Sequence, residues 1–360
     1  MTGALVRVLD NLLGRGDAAV TVPPLDGPLR PNRRLDEAAR LPLADVDDLA
    51  FLSGQLVAST AKALYSLEGS HWQLRSEYSD LVTAMATIDG EGVCLALANG
   101  EIAIEGGRYH GRRYRVAENV RCMTALIATG SHLFVANGSS THDAADWQRD
   151  LMRKTAAGSL WRIDLDDGAV SQLAGNLAWP AGLAVEGDGL VYAEAWRHRL
   201  MRLSPGGTAR PAIVYADLPG YPGRISSAQG HHWLSVFAPR SQLVEFVLRE
   251  PAYRERMIAE VPPDFWIAPK LRSGRSYYEP LQGGGVKHLG ILKPWAPTMS
   301  AGLCVKLGST FQPIMSLQSR ADGATHGVTS ALEHEGRLYV AARGDGVVAL
   351  VDLNALGGEE

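Results

Sequence analysis

The chain has 360 residues, of which 46% are hydrophobic and 21% charged, and its formal net charge is −4. This composition is typical of a globular protein with a large core and excludes a disordered or fibrous chain. The basic residues are scattered, so nucleic acid is not an expected partner, and no run of about 18 apolar residues predicts a membrane span.

The first 42 residues are expected to form a short helix and an extended arm. Leu5, Val8 and Leu12 recur at helical spacing, and the stretch 17–42 is rich in Pro, Asp and Arg, which is typical of a linker. Charged residues interrupt the N-terminal apolar segment, so it does not resemble a secretory signal. The three cysteines are widely spaced, which favours a cytoplasmic location without disulfides or a zinc site.

Residues 43–354 repeat a pair of apolar, β-rich runs separated by a glycine turn. Six copies occur, at 49–67, 85–107, 126–140, 183–205, 225–248 and 332–353. Turns such as RGDG at 343–346 supply the positive φ angles that tight hairpins need. Short strands repeated at intervals of tens of residues indicate stacked small sheets. The predicted fold is all-β, a six-bladed β-propeller.

A long segment interrupts the repeat between the fifth and sixth copies. Residues 249–331 contain a predicted helix at 251–260, a proline-rich aromatic stretch and a strand-like run, SAGLCVKL. Long ordered loops often form lids or binding walls. We therefore expect a lid-like insertion between blades 5 and 6 that covers one mouth of the propeller. Candidates for an aromatic wall, with core packing as the alternative, are Trp196, Trp266, Tyr277 and Tyr278; the insertion also contains Trp295.

The middle of the chain carries the most specific signal. Residues 133–207, beginning LFVANGSSTHDAADW, and YADLPGYPGRI at 215–225 resemble the third and fourth blades and the Pro-Gly-x-Pro signature of the strictosidine synthase-like proteins. These proteins are a branch of the six-bladed propellers that also includes paraoxonases and gluconolactonases. The resemblance runs from about residue 43 to the end and implies a protein that acts on a small organic molecule at the central channel.

In calcium-dependent relatives, the resemblance implies a metal held at the channel centre by oxygen side chains. The retained positions are Asp47, Asp48 and Asn137. The changed positions are Ala181, Gly223 and Arg224. Because Ca²⁺ needs six to eight oxygen ligands, we expect no metal and no cofactor. A calcium-dependent lactonase would have to recruit new oxygens.

Arg224 changes the charge of that centre. A guanidinium stays charged in proteins, so beside Asp47 or Asp48 it would take the place of a cation and repel one. Three roles are open for it: a salt-bridge partner of the aspartates, a bidentate clamp for a ligand carboxylate or phosphate, or a solvent-exposed residue.

The alkaloid-forming synthases of the family imply a buried glutamate, just before the last blade, that transfers protons during amine–aldehyde condensation. The matching position is at or near Thr329, in THGVTSALEHEGRLYVA. Threonine cannot serve as that acid or base, so this Pictet–Spengler-type reaction is not supported unless another group moves the proton.

Two other residues are candidates for acid–base chemistry. His326 follows a polar segment and is expected near the central opening, where it could be a general base. Glu194 is predicted on an inner strand of blade 4, where a semi-buried carboxylate is either neutralised or paired with a charge. Ser139, His142 and Asp143 are weaker candidates for a polar rim, because no nucleophile-elbow motif surrounds the serine.

Two classes of function follow. The first is a metal-independent hydrolase of an ester, lactone or C–N bond, with His326 or Glu194 as base and Arg224 stabilising an oxyanion or holding a substrate carboxylate. The second is a non-catalytic propeller that binds a small acidic or aromatic metabolite. The side chains expected to contact the ligand are Asp47, Asp48, Asn137, Ser139, Trp196, Trp266 and Thr329.

Overall fold

The computed structural model describes residues 22–358, apart from 188, 205–209, 289–290 and 298. The helix predicted near the N-terminus lies outside the described residues. Within the described ranges, no helix is long and apolar enough to cross a membrane.

Six four-stranded antiparallel sheets confirm the predicted six-bladed propeller. A first strand, β1 (Ala39–Pro42), precedes the blades. Blade 1 contains β2 (Asp48–Leu52), β3 (Gln55–Ser59), β4 (Ala63–Glu68) and β5 (His71–Glu77). Blade 2 contains β6 (Val82–Ile88), β7 (Gly92–Leu97), β8 (Glu101–Gly106) and β9 (Arg113–Arg115). Blade 3 contains β10 (Met123–Thr129), β11 (His132–Asn137), β12 (Gly158–Asp164) and β13 (Val170–Leu177).

The remaining blades have the same antiparallel plan. Blade 4 contains β14 (Pro180–Glu186), β15 (Gly189–Glu194), β16 (Arg199–Leu203) and β17 (Ala212–Tyr215). Blade 5 begins with β18 (Gly220–Ala228) and β19 (His231–Pro239). A separate hairpin of β20 (Leu281–His288) and β21 (Ile291–Pro297) follows, and β22 (Gly302–Gly308) and β23 (Pro313–Ser319) complete blade 5. Blade 6 contains β24 (Val328–His334), β25 (Arg337–Ala342) and β26 (Val347–Asp352), with β1 as its fourth strand.

The helices are short and lie between strands. α1 (Trp147–Arg153) follows β11, and α2 (Gln242–Val247) and α3 (Pro251–Glu260) follow β19. α3 confirms the helix predicted at 251–260, and its first residue is a proline, which suits the first helical position. Single 3₁₀ turns occur at Gly27–Leu29, Ala144–Asp146, Ala195–Arg197, Pro263–Phe265 and Ala355–Gly358.

The first strand of each blade lies innermost, because β2, β6, β10, β14, β18 and β24 contact one another in turn around the axis. Neighbouring blades share apolar cores. One contains Ile102 and Leu133 between blades 2 and 3, and another contains Val191 and Leu234 between blades 4 and 5. Both faces of a sheet are therefore buried, which explains why the copies read as nearly continuous apolar runs.

The long insertion lies within blade 5, between β19 and β22, and the prediction that it separates blades 5 and 6 is corrected. β22 pairs with β19 from His231↔Gly308 to Val236↔Leu303, so the strand-like run SAGLCVKL supplies the third strand of blade 5. The fifth sequence copy covers only β18 and β19, because the insertion separates these two strands from β22 and β23 of the same blade.

The ring is closed by β1, which pairs with β26 as the outermost strand of blade 6. The stretch 17–42, predicted to be a linker, therefore ends in a strand. A short run ending in proline gives little strand signal, and proline is tolerated at a sheet edge. The preceding arm is also fastened: Leu35 is fully buried, and its N–H donates to the Gln318 carbonyl at 3.0 Å.

The backbones of blades 4 and 5 touch near the axis. A Cβ on Gly182 would lie 2.1 Å from the Gly223 carbonyl oxygen, and a Cβ on Gly223 would lie 2.6 Å from Ser235 Oγ. Both positions need glycine because the neighbouring atoms leave no room for a side chain.

We expect Gly182→Ala to lower the free energy of unfolding by about 2–3 kcal/mol, because the added methyl group collides with the backbone of the next blade. Urea unfolding followed by tryptophan fluorescence measures the change. Gly308→Ala is the matched control, since its Cβ would meet no atom nearer than 3.7 Å. Equal stability of Gly182→Ala and wild type would contradict this contact.

Candidate functional site

A cavity opens on the propeller axis at the inner ends of the blades, and we call it the axial cavity. It encloses about 570 Å³ including its mouth. Its polar lining comes from Asp47, Thr83, Arg224, Thr329 and Arg343, and its aromatic lining comes from Trp147, Trp179 and Phe237.

Arg224, on the innermost strand β18, is bound by oxygens of three other blades. Its Nη1 donates to the carbonyls of Asp47 at 3.0 Å and Thr329 at 3.1 Å, and its Nη2 donates to Asp47 Oδ2 at 2.6 Å and the Thr83 carbonyl at 2.8 Å. Nε lies 3.0 Å from Asp48 Oδ2, but this pair does not have the geometry of a hydrogen bond. Of the roles open for Arg224, the structure shows the salt bridge. A direct role toward a ligand stays a prediction.

Asp47 binds two guanidinium groups. Its Oδ2 accepts from Arg224, and its Oδ1 accepts from Arg343 Nη1 at 3.0 Å. Burial alone would raise the pKa of Asp47, but the two arginine charges and their hydrogen bonds outweigh burial and hold the pKa below its ordinary value. Asp47 is therefore ionised at neutral pH.

Asp48 titrates differently from its neighbour. Burial, with the charge of Asp47 added, raises its pKa despite the opposing charge of Arg224 and the Met85 N–H. Its Oδ2 accepts that N–H at 2.8 Å, and its Oδ1 accepts the Leu49 N–H at 2.9 Å. Asp47 is thus the more acidic member of the pair. We call Asp47, Asp48, Arg224 and Arg343 the axial ion-pair cluster.

Arg343 has donor capacity left. Its side chain is 47% exposed, and it belongs to the RGDG hairpin turn at 343–346. In the part of the chain that the structure describes, Nη1 bonds to Asp47, whereas Nε and Nη2 bond to no protein group. Arg343 is the cluster member best placed to meet an anionic ligand.

Thr329 lines the axial cavity, as its predicted ligand contact requires. Its Oγ1 donates to the Asp47 carbonyl at 2.7 Å, and its own carbonyl accepts from Ser235 Oγ at 3.1 Å. The position that matches the synthase glutamate is therefore at the cavity wall, but its hydroxyl is bonded within the protein.

Asn137 and Ser139 lie behind the cavity wall. Asn137 is fully buried; its Oδ1 accepts the Cys122 N–H at 3.1 Å, and its Nδ2 donates to the Ser139 carbonyl at 3.0 Å. Ser139 Oγ accepts the N–H groups of Thr141 and His142, each at 3.2 Å. Neither residue is among those that line the axial cavity, and their predicted ligand contacts stay predictions.

The channel centre does not fit a calcium ion. Asp47 and Asp48 face Arg224, Asn137 Oδ1 already accepts a backbone N–H, and Ala181 offers no side-chain oxygen. A guanidinium charge at this place repels a cation that needs six to eight oxygens. Among the described residues, no group of three or more His, Cys, Asp or Glu side chains is placed to hold a metal.

The aromatic side of the cavity is a stack of rings. Trp179 stacks on Trp196 with centroids 5.0 Å apart, Trp196 stacks on Trp147 at 6.3 Å, and Phe237 meets Trp147 edge-on at 5.5 Å. Trp196, predicted to contact the ligand, lies behind the two tryptophans that line the cavity. Its Nε1 donates to Asp150 Oδ1 at 2.7 Å, so it supports the wall from within.

Trp179 has a φ of +56°, a left-handed conformation that bulky residues rarely adopt. Glu194 fixes the preceding residue, because its Oε1 accepts the Ala178 N–H at 2.8 Å. The same carboxylate pairs with Arg197 and Arg199, each at 2.6 Å. Glu194 is fully buried and does not line the axial cavity. Glu194, predicted as a catalytic residue, instead holds the backbone next to Trp179.

His326 lies on the connection between β23 and β24, and it does not line the axial cavity at the central opening, where it was predicted. Its Nε2 donates to the Arg320 carbonyl at 2.7 Å, and its Nδ1 accepts from Arg272 at 2.6 Å and Ser300 at 2.7 Å. Burial lowers the pKa of His326 below its ordinary value, and the positive charge of Arg272 lowers it further. The hydrogen bond to the Arg320 carbonyl raises the pKa but does not outweigh these two effects. The ring is thus neutral at neutral pH and fully bonded.

The aromatic side chains of the insertion that the structure describes do not line the axial cavity. Trp266 is buried in a core beside the cavity, while Tyr277 and Tyr278 are exposed to 92% and 73%. Trp295, another aromatic residue of the insertion, lies outside the described side chains. Leu271 is the insertion residue that lines the cavity.

The sequence did not single out Trp147, Trp179, Phe237 or Arg343 as site residues. Trp179 stands directly before Pro180 and two residues before Ala181, one of the changed metal-ligand positions. His142, by contrast, was a weak candidate, and its Nδ1 lies 3.0 Å from the buried Asp150 carboxylate. The positions of these side chains depend on contacts between distant parts of the chain, which local sequence patterns do not indicate.

Neither a protein-family model nor a curated protein matches this chain, but solved structures do. A gluconolactonase from Xanthomonas campestris is 11% identical, with 89% of this chain and 90% of that chain covered and a TM-score of 0.54. Regucalcin, a calcium-binding protein from Agrobacterium tumefaciens, is 14% identical, with 92% and 95% covered and a TM-score of 0.51. At these identities, the chain shares with both proteins the β-propeller fold.

Proposed function

We propose that the axial cavity binds a small organic molecule with a flat apolar part and an anionic group, and does so without a metal ion. The observation that carries the proposal is the axial ion-pair cluster. Arg224 holds Asp47 and Asp48, and Arg343 keeps free N–H groups. Because guanidinium groups already face both carboxylates, the cluster needs no further cation.

The two sides of the cavity favour different parts of one ligand. Trp147, Trp179 and Phe237 form an apolar surface suited to an aromatic or other flat group. The half-exposed guanidinium of Arg343 suits a carboxylate, which it can bind through two parallel hydrogen bonds. A molecule that joins the two groups would contact both sides.

Hydrolysis of an ester or lactone is the second candidate, favoured by the Asp47–Arg343 pair in the cavity lining. A structurally similar protein is described as a gluconolactonase, and the resemblance to strictosidine synthase-like proteins implies a small organic substrate. Water would add to the carbonyl carbon, the bond to the alcohol oxygen would break, and a proton would pass to that oxygen. Arg343 would stabilise the oxyanion, and Asp47 would orient the water.

This assignment differs from the roles predicted for His326 and Glu194. Both side chains have their polar atoms bonded within the protein, and neither lines the axial cavity. Amine–aldehyde condensation has less support, because Thr329 supplies no acid or base at the family position.

We expect calcium chloride and EGTA to leave the melting temperature unchanged within about 1 °C, because a ligand that does not bind the folded state cannot stabilise it. Differential scanning calorimetry measures the shift, with magnesium chloride at equal ionic strength as the control. Stabilisation of several degrees by calcium alone would contradict the cation-free cluster.

We expect Arg224→Met to lower the free energy of unfolding at pH 7 by about 3–5 kcal/mol, because two buried carboxylates lose their shared cation. The lowered pKa of Asp47 means that its contribution to wild-type stability is full above its unfolded pKa and is lost as pH falls through the folded value. Because the unfolded state is the same in both proteins, the difference between wild type and variant should shrink as the pH falls and the carboxylates become protonated, and should be smallest below the lowered folded pKa of wild-type Asp47.

Urea unfolding between pH 7 and pH 3 measures this dependence. Arg256→Met is the control, because Arg256 is an exposed arginine of α3 whose side chain is 77% accessible. A variant as stable as wild type at pH 7, or a difference that does not change with pH, would show that Arg224 does not compensate the carboxylates.

We expect phenylacetate to bind, and Arg343→Gln to weaken its binding about tenfold, because a charge-assisted hydrogen bond is lost. Binding of the neutral phenylacetamide should not change. Isothermal titration calorimetry measures both affinities, and Arg256→Gln is the control.

If neither compound binds wild type, the binding proposal is wrong.

For the second candidate, hydrolysis, turnover of dihydrocoumarin, an aromatic lactone, is followed by absorbance. Turnover that falls in Arg343→Gln supports hydrolysis, and equal turnover in wild type and Arg343→Gln counts against it.

A further inference from the structure

A polar groove lies next to the axial cavity, beside the insertion, and we call it the side groove. It encloses about 1170 Å³ including open solvent. Trp147, Leu271 and Arg343 line both the side groove and the axial cavity. The two spaces are therefore adjacent, with apolar residues and one guanidinium lying between them.

Cationic side chains from two parts of the chain face the side groove. Arg343 belongs to blade 6, while Lys270, Arg272 and Arg275 belong to the insertion, and Arg272 is bonded to His326 and Asp345. Arg275 is exposed, and its Nη2 donates to the carbonyl of Gly344 at 2.5 Å, so it is fastened beside the residue that follows Arg343. Lys270 Nζ donates to the Asp264 carbonyl.

Carboxylates also lie in or beside the groove, and two of them are bonded within the protein. Glu279 accepts backbone N–H groups of residues 274–276 at 2.8–3.3 Å. Asp345 Oδ1 lies 3.2 Å from Nε of Arg272 in the insertion, with which it forms an ion pair. Asp45 and Asp264 are exposed. The groove is therefore polar, and its free guanidinium donors are concentrated at Arg275 and Arg343.

We infer that the ligand is elongated, with a flat apolar end in the axial cavity and a carboxylate end in the side groove between Arg343 and Arg275. This inference rests on the proposed function. The linker between the two ends passes Trp147 and Leu271, whose apolar side chains suit methylene groups. Arg343 favours a ligand that is anionic, and Arg275 favours one long enough to reach it with a carboxylate.

The experiment compares ω-phenyl carboxylates of increasing length, from phenylacetate through 4-phenylbutyrate and 6-phenylhexanoate to 8-phenyloctanoate. Each acid is paired with its primary amide, because the amide carries the same apolar contacts without the charge. Isothermal titration calorimetry with the full chain gives the ratio of amide Kd to acid Kd at each length.

We expect this ratio to rise about tenfold once the carboxylate reaches Arg275, because the acid then gains a second charge-assisted hydrogen bond. Arg275→Gln should abolish the rise while keeping the ratio for phenylacetate. Arg275→Lys, which keeps the charge without the planar fork, should give an intermediate rise. Arg256→Gln should behave as wild type.

A ratio that does not rise with length, or a rise that persists in Arg275→Gln, would overturn the side-groove inference while phenylacetate binding still supports the proposed function. If no compound of the series binds wild type, the proposed function fails and the inference fails with it. Thermal melting of each variant confirms that a lost rise does not come from unfolding.

Discussion

The guanidinium of Arg224 is the constraint on which the centre of this propeller depends. It extends from blade 5 and bonds to blade 1 at Asp47, to blade 2 at Thr83 and to blade 6 at Thr329. One side chain thereby connects four of the six blades at the place where their innermost strands meet. The Arg224 side chain is only 15% exposed, so its bonds are less screened by solvent and salt than those of a surface ion pair.

The same group divides the axis into two compartments. Arg224 lines the axial cavity and also a second cavity of about 820 Å³, including its mouth, which Asp48 and apolar residues of the inner strands line. Asp47 belongs to the first compartment and Asp48 to the second. The two adjacent carboxylates therefore sit in different surroundings, which agrees with the opposite directions of their pKa shifts.

The number of blades could be predicted because hairpin turns are encoded locally by glycine and its neighbours. Strand pairing across long sequence distances has no such local code. The sequence therefore gave no sign that β19 pairs with β22 across the insertion or that β1 completes blade 6. At the site, the resemblance to calcium-dependent relatives correctly predicted that Arg224 lies beside Asp47 and Asp48.

The other site residues depended on partners that the sequence did not identify. Glu194 and His326 have the residue types of catalysts, but Arg199 and Arg272 bind them in the folded chain. Trp179 acquires its place through a positive φ, which no composition or period indicates. Such roles are defined only when several blades come together.

The pairing of β1 with β26 also bears on how the chain reaches its folded state. These strands come from opposite ends of the propeller, so the ring closes only after the last blade has been synthesised and its third strand is available. Closing so long a loop has a high entropic cost, and non-local contacts of this kind are associated with slow folding. Until closure, β26 presents an unpaired sheet edge of the kind that other chains can join. The final ladder of blade 6 thus governs both the completion of folding and the interval during which the chain is open to self-association.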